Sequence, residues 1–116
     1  MMLRLKRVYE PSAEDDGLRV LVDRLWPRGL KKDEAHVDLW LKEIAPSAEL
    51  RRWFGHDPKK WIGFRHRYRA ELGARNDQIA ILRQSGGRGR VTLLYSAKDE
   101  AHNQAIVLKE FLEEGR

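Results

Sequence analysis

The sequence predicts an α/β fold: a single small domain in which a short, mostly parallel sheet is flanked by helices. Three observations predict it. Val20-Leu21-Val22 and Val91-Thr92-Leu93-Leu94-Tyr95 are short, β-prone runs, the pattern of strands buried on both faces. Between and after them, apolar residues recur at helical spacing. A length of 116 residues suits one domain, 1–116, able to bury about two-thirds of its surface without a disulfide or a structural metal.

Leu3-Arg4-Leu5-Lys6-Arg7-Val8-Tyr9 reads as a first strand, followed by a polar loop from Pro11 to Gly17 and a second strand from Leu18 to Val22. That loop leaves open whether the two strands form an antiparallel hairpin or a parallel pair with an irregular crossover. Val37, Trp40, Leu41 and Ile44 have helical spacing, which predicts a helix starting near Asp33 and ending at Pro46. Ser47 is placed to cap a short helix burying Leu50, Trp53 and Phe54. Asp57-Pro58 is a start signal for another, with Trp61, Phe64, Tyr68 and Leu72 as its core stripe. A helix from around Ala74 to Gln84 turns Ile79 and Leu82 inward and stops at Gly86-Gly87-Arg88-Gly89. Ala105, Leu108, Phe111 and Leu112 mark a closing helix after the last strand.

Composition removes several chemistries. The chain has no cysteine, which excludes thiolate catalysis, disulfides and cysteine metal sites. His36, His56, His66 and His102 fall at no paired ligand spacing, so neither a metal nor a cofactor is expected. None of the serines has a Gly-x-Ser-x-Gly setting. Gly86-Gly87-Arg88-Gly89 precedes a strand instead of following one, so it reads as a turn and not as a phosphate-binding loop. The N-terminus lacks the apolar core of a signal peptide, and no segment approaches the ~18 apolar residues of a membrane span. The expectation is a cytoplasmic protein with no membrane partner.

The candidate site lies where two strands end. Val20-Leu21-Val22 empties into Asp23-Arg24-Leu25-Trp26-Pro27-Arg28-Gly29, and Val91–Tyr95 into Ser96-Ala97-Lys98-Asp99-Glu100-Ala101-His102-Asn103. Open α/β sheets hold ligands outside the carboxyl ends of their strands, so parallel neighbouring strands would bring both loops to one crevice. The predicted ligand residues are Asp23, Arg24, Trp26 and Arg28 on the first loop and Ser96, Lys98 and Asn103 on the second. Arginines and lysine beside the start of the last helix suit a phosphate- or carboxylate-bearing ligand, a nucleotide among them. If there is turnover, Asp23 or His102 is the candidate acid or base. Each group also has a plain structural use. Ser96 and Asp99 are spaced to cap the last helix, Asp23 could pair with Arg24 or Arg28 to order the loop, and Trp26 could simply pack.

The formal charge is +5, and it is unevenly spread. Between Arg51 and Arg69 stand seven lysines and arginines against one acid, Asp57. Arg51, Arg52, Lys59, Lys60, Arg65 and Arg69 therefore make a second candidate, a nucleic-acid or adaptor face, set against the alternative of a solvated surface. No helix-turn-helix, zinc-finger or RNA-recognition signature accompanies them.

Val20-Leu21-Val22-Asp23-Arg24-Leu25-Trp26-Pro27-Arg28-Gly29, with Leu94-Tyr95-Ser96-Ala97-Lys98-Asp99-Glu100-Ala101-His102-Asn103-Gln104-Ala105, resembles the YeaO-like bacterial family, a domain of unknown function (DUF 488). The resemblance extends over nearly the whole chain, through Trp40, Trp53-Phe54-Gly55-His56 and the region of Phe64, Arg65 and Tyr68. It implies a compact α/β domain. In the wider superfamily that it is similar to, the second-strand loop carries an Asp-x-Arg type pattern and the last turn a Cys-His-Arg pattern. The chain has no cysteine and Asn103 stands in that neighbourhood, so cysteine chemistry does not carry over.

Overall fold

Alternation along the strands gives the sheet two unlike faces. In the computed structural model, which describes residues 1–114, β1 (Met2–Arg7), β2 (Leu18–Leu21), β3 (Leu39–Trp40) and β4 (Arg90–Tyr95) form a four-stranded sheet. Its order is β1-β4-β2-β3 and every pair is parallel. On one face, Val20, Val22, Val91, Leu93 and Tyr95 pack against helices α2 (Ala48–Phe54), α3 (Trp61–Gly73), α4 (Asn76–Gly86) and α5 (Gln104–Glu114). On the other, Val8, Leu21 and Leu94 lie under Trp26, Leu30, Val37 and Trp40. Trp26, Leu30 and Val37 come from the segments around the one-turn helix α1 (Lys32–Ala35), and Trp40 from β3. Successive residues of a strand point to opposite faces, so the apolar runs Val20–Leu21 of β2 and Leu93–Tyr95 of β4 are buried on both faces.

The first two strands neither form a hairpin nor pair with each other. β4 stands between them, with Met2 opposite Arg90 on one side and Leu18 opposite Val91 on the other. The last strand is thus central, and the loops following β2 and β4 emerge side by side.

The start signals act as the sequence predicts. The Ser47 hydroxyl accepts the Leu50 N–H at 3.1 Å, and the Asp57 carboxylate accepts that of Lys59 at 3.0 Å, opening a 3-10 turn (Pro58–Lys60) that runs into α3. Phe64, Tyr68 and Leu72 are buried while Trp61 is only partly so. The Tyr68 hydroxyl donates to the Ile44 carbonyl at 2.7 Å inside the core.

The helix predicted through Val37, Trp40, Leu41 and Ile44 is not there. The segment is α1, then β3, then a 3-10 turn at Lys42–Ile44. The open edge of β2 decides it, because buried backbone groups must be paired. The Asp38 N–H donates to the Arg19 carbonyl at 2.9 Å and the Leu41 N–H to the Leu21 carbonyl at 3.0 Å. Those bonds hold the segment extended, sending Leu39 and Trp40 to opposite faces.

At the amino end of β2 sits a buried ionic network. The Asp16 carboxylate accepts from Arg19 Nη1 at 2.5 Å, from Lys6 Nζ at 3.1–3.2 Å and from the Ala13 N–H at 3.0 Å. Arg19 also donates to the carbonyls of His36 and Ala35, tying α1 to the sheet. Gly17 follows with φ +65°, and a Cβ there would lie 2.2 Å from the Arg90 carbonyl oxygen, so only glycine fits this approach to β4. Among the described residues no helix is long and apolar enough to cross a membrane.

Candidate functional site

The loops after β2 and β4 meet in a crevice of about 860 Å³ at the carboxyl ends of those strands. Asp23, Arg24, Trp26 and Arg28 line it from one loop; Ser96, Lys98, His102 and Asn103 line it from the other. All the predicted ligand and acid/base residues are thereby brought together. Arg51, Arg52 and His56 join them from α2 and the turn beyond it.

Asp23 is the floor. Its side chain is placed by the end of β2, its Oδ2 accepts the Ser96 N–H at 3.0 Å and its Oδ1 accepts from Gln104 Nε2 at 2.5 Å. Its own carbonyl accepts from Trp40 Nε1 at 2.7 Å, which fixes the backbone. Burial pushes the Asp23 carboxyl above the usual carboxylate range, against the hydrogen bonds from Ser96 and Gln104 and the charge of Arg51. Only neutral groups donate to it, and removal from water therefore dominates.

The cations differ in how far they are committed. Arg24 donates from Nε to the Pro46 carbonyl at 3.3 Å and from Nη2 to that of Ala45 at 3.0 Å, with Nη1 3.5 Å from Glu43. Its guanidinium therefore holds the 45–46 turn, with Arg75 on the same Ala45 carbonyl. The loop pairing expected of Asp23 with Arg24 or Arg28 does not form: among the described residues Asp23 makes no salt bridge within 4.0 Å. Arg28, Arg52 and Lys98 are exposed along the crevice. The Nε of Arg51 is buried with no hydrogen-bond partner, a donor whose satisfaction is expected in a native interior.

Trp26 packs edge-on against Trp40, with ring centroids 5.4 Å apart, and donates from Nε1 to the Leu30 carbonyl. The capping expected of Ser96 and Asp99 falls instead to Asn103, whose Oδ1 accepts the Ile106 N–H at 3.2 Å. Ser96 is turned to Asp23, and helix α5 starts later, at Gln104, so His102 precedes it. Asp99 accepts the N–H groups of Ala101 and His102, and its Oδ2 lies 2.9 Å from His102 Nδ1. These bonds, led by the Ala101 N–H, hold the Asp99 carboxyl below its usual range. His102 stands edge-on to Trp61 at 5.3 Å. His56 has φ +56°, uncommon outside glycine, and lines the crevice from the turn after α2; nothing in its spacing singled it out.

The basic stretch is divided. Arg51 and Arg52 face the crevice, while Arg65 meets Glu110 at 2.7 Å and Arg69 meets Glu114 on α5. Lys60 donates to the Trp53 carbonyl, and Arg67 lies 3.9 Å over the Trp53 ring. Lys59 is exposed. Among the described residues no group of three or more histidine, cysteine or acidic side chains is arranged to hold a metal ion.

The sequence matches, over residues 2–115, the family described as the inactive DUF488-N3 subclade. It is 45% identical over 112 residues to the uncharacterized protein YeaO of Escherichia coli K12, covering 97% of each chain. It is 44% identical to the uncharacterized protein Rv3073c of Mycobacterium tuberculosis H37Rv, covering 95% of this chain and 92% of that one. The uncharacterized protein Mb3100c of Mycobacterium bovis matches to the same extent. No solved structure matches the chain.

Proposed function

The chain belongs to the inactive DUF488-N3 subclade, and on that premise we propose that it binds a small anionic ligand, bearing phosphate or carboxylate, in the strand-end crevice without turning it over. One observation carries the reading: Arg28, Arg51, Arg52 and Lys98 line one crevice and, among the described residues, none of these side chains makes a hydrogen bond or salt bridge there, the Arg51 Nε being buried without an acceptor. A structural arginine has its nitrogens matched to acceptors, as all three of Arg24 are. Unsaturated ones converging at strand ends are what an anion needs, because charge-assisted bonds in a partly dry site are strong. Arg24 serves as a positioning residue through the 45–46 turn. Binding without turnover agrees with the subclade's description and with a chain that has no thiol nucleophile. Asp23 and His102 are the candidate acid and base should turnover occur.

The test is a thermal-shift and calorimetric survey of phosphate, nucleotides and acidic metabolites, each at two salt concentrations, with wild type and Arg51→Ala. A true ligand at a hundredfold excess over its Kd stabilises the fold by about 2.7 kcal/mol, a shift of roughly 10 °C. Arg51→Ala should weaken it about tenfold or more. The reading fails if no small anion stabilises the protein, or if Arg51→Ala binds as well as wild type. Stabilisation by oligonucleotides alone, falling steeply with salt, would move the function to the basic stretch.

A further inference from the structure

The polar groups of the crevice are sorted by depth. Asp23, at its floor, is nine-tenths buried, whereas Arg28, Arg52 and Lys98 are exposed where they line it. The walls also carry an apolar share, from Pro27, Pro46, Ala48, Phe54 and Phe64. The Asp23 carboxylate meets three neutral donors, the N–H and hydroxyl of Ser96 and the amide of Gln104. A carboxylate offers about four lone-pair sites, so Asp23 keeps acceptor capacity.

That layout is unsuited to a bare anion lodged at the bottom. An anion on the floor would meet a carboxylate at short range in a poorly hydrated place, a like-charge contact that disfavours ionisation of one or the other. It suits a longer molecule whose ends differ. Resting on the anion-binding reading above, we infer that the ligand is a phosphate ester with hydrogen-bond donors at its far end, seated donor end first. The N–H or O–H groups of the head meet Asp23, the middle lies along Phe54 and Phe64, and the phosphate reaches Arg28, Arg52 and Lys98, with Arg51 at mid-depth. A crevice of about 860 Å³ is in the range used for small organic ligands. A nucleoside monophosphate and an amino-sugar phosphate share this chemistry.

Calorimetry on the full chain tests it with inorganic phosphate, citrate, adenosine 5′-monophosphate, guanosine 5′-monophosphate, glucosamine 6-phosphate and the N6,N6-dimethyl form of the adenosine compound. The expected result is that at least one donor-headed phosphate binds about tenfold or more tighter than inorganic phosphate; which one identifies the source. For that ligand Asp23→Asn should erase most of the advantage while leaving inorganic phosphate unchanged. Should Asp23→Asn not fold, wild type decides alone, because methylating the head's donors must cost the same advantage. An Asp23→Asn variant that binds every phosphate more tightly by one common factor would show that the carboxylate merely opposes the anion, and would overturn the inference. So would donor-headed compounds that bind no better than inorganic phosphate, or citrate binding with no phosphate compound doing so; in those cases the anion site itself stands. If none of these probes and no other small anion binds, both readings fall.

Discussion

Asp16 and Asp23 flank the same strand, β2, and both are buried, yet they live in opposite surroundings. Asp16 is met by two cations and a backbone N–H. Burial pushes its carboxyl up, but the Ala13 N–H, Lys6 and Arg19 outweigh it and hold it below the usual range. Asp23 is met by neutral donors, and burial wins. The difference teaches how to tell a structural charge from a poised one. Where charged partners surround a group, it specifies geometry. Where they are missing, capacity is left for something else. The arginines repeat the lesson, since every side-chain nitrogen of Arg24 has an acceptor and the buried Nε of Arg51 has none.

The largest effect should come from breaking the saturated end. Asp16→Asn leaves Arg19, only 4% exposed, facing a neutral group, and should cost about 3–5 kcal/mol in urea unfolding, a large part of a small domain's stability. A loss under about 1 kcal/mol would erase the distinction between the two aspartates. Next comes Arg24→Ala, which takes its donor from the Pro46 carbonyl and leaves the Ala45 carbonyl to Arg75 alone; it should cost about 1.5–3 kcal/mol, whereas Arg51→Ala should alter stability little and anion affinity strongly. Equal effects of the two arginine variants on affinity would blur the comparison.

The smallest effect should be that of Asp23→Asn at pH 7, within about 1 kcal/mol, because the new amide can keep the Ser96 N–H on its oxygen and donate to a flipped Gln104. Its pH dependence is more telling than its size. Asp16 titrates below the ordinary carboxylate value of 3.8, so its contribution is complete above that value and is lost as pH falls through the depressed folded pKa. Asp23 titrates above it; the fold favours its protonated form, so that contribution is full below pH 3.8 and is lost as pH rises through the raised folded pKa. Denaturant melts between pH 3 and 8 should therefore show Asp23→Asn gaining on wild type as pH rises and Asp16→Asn falling further behind. Parallel pH profiles for the two variants would contradict the assignment.

What was legible in the sequence follows from the same physics. Strands covered on both faces leave short apolar runs such as Val20–Val22 and Leu93–Tyr95, so β2, β4 and the loops after them could be read directly, and a parallel sheet then dictates that those loops converge. Ser47 and Asp57-Pro58 are local signals and need no tertiary context. β3 is different. Two residues are too few to display a period of two, and Val37, Trp40, Leu41 and Ile44 mimic a helical stripe; only the unpaired edge of β2 decides the outcome. Asp16 and Arg19 look like ordinary surface charges until β1 delivers Lys6 and α1 covers them. Arg51 belonged on paper to a basic run, and its place in the crevice depends on how α2 leans, which no local pattern encodes.

The strand order has a kinetic consequence. Because β4 is inserted between β1 and β2, Met2 finds its partner only at Arg90, and Leu18 finds its partner at Val91. Closing such distant contacts is slow, since chain entropy must be lost before pairing rewards it. On the ribosome β1 and β2 wait for the strand that pairs with both, which begins at Arg90, and the crevice, whose second wall begins at Ser96, cannot close until that part of the chain has been made.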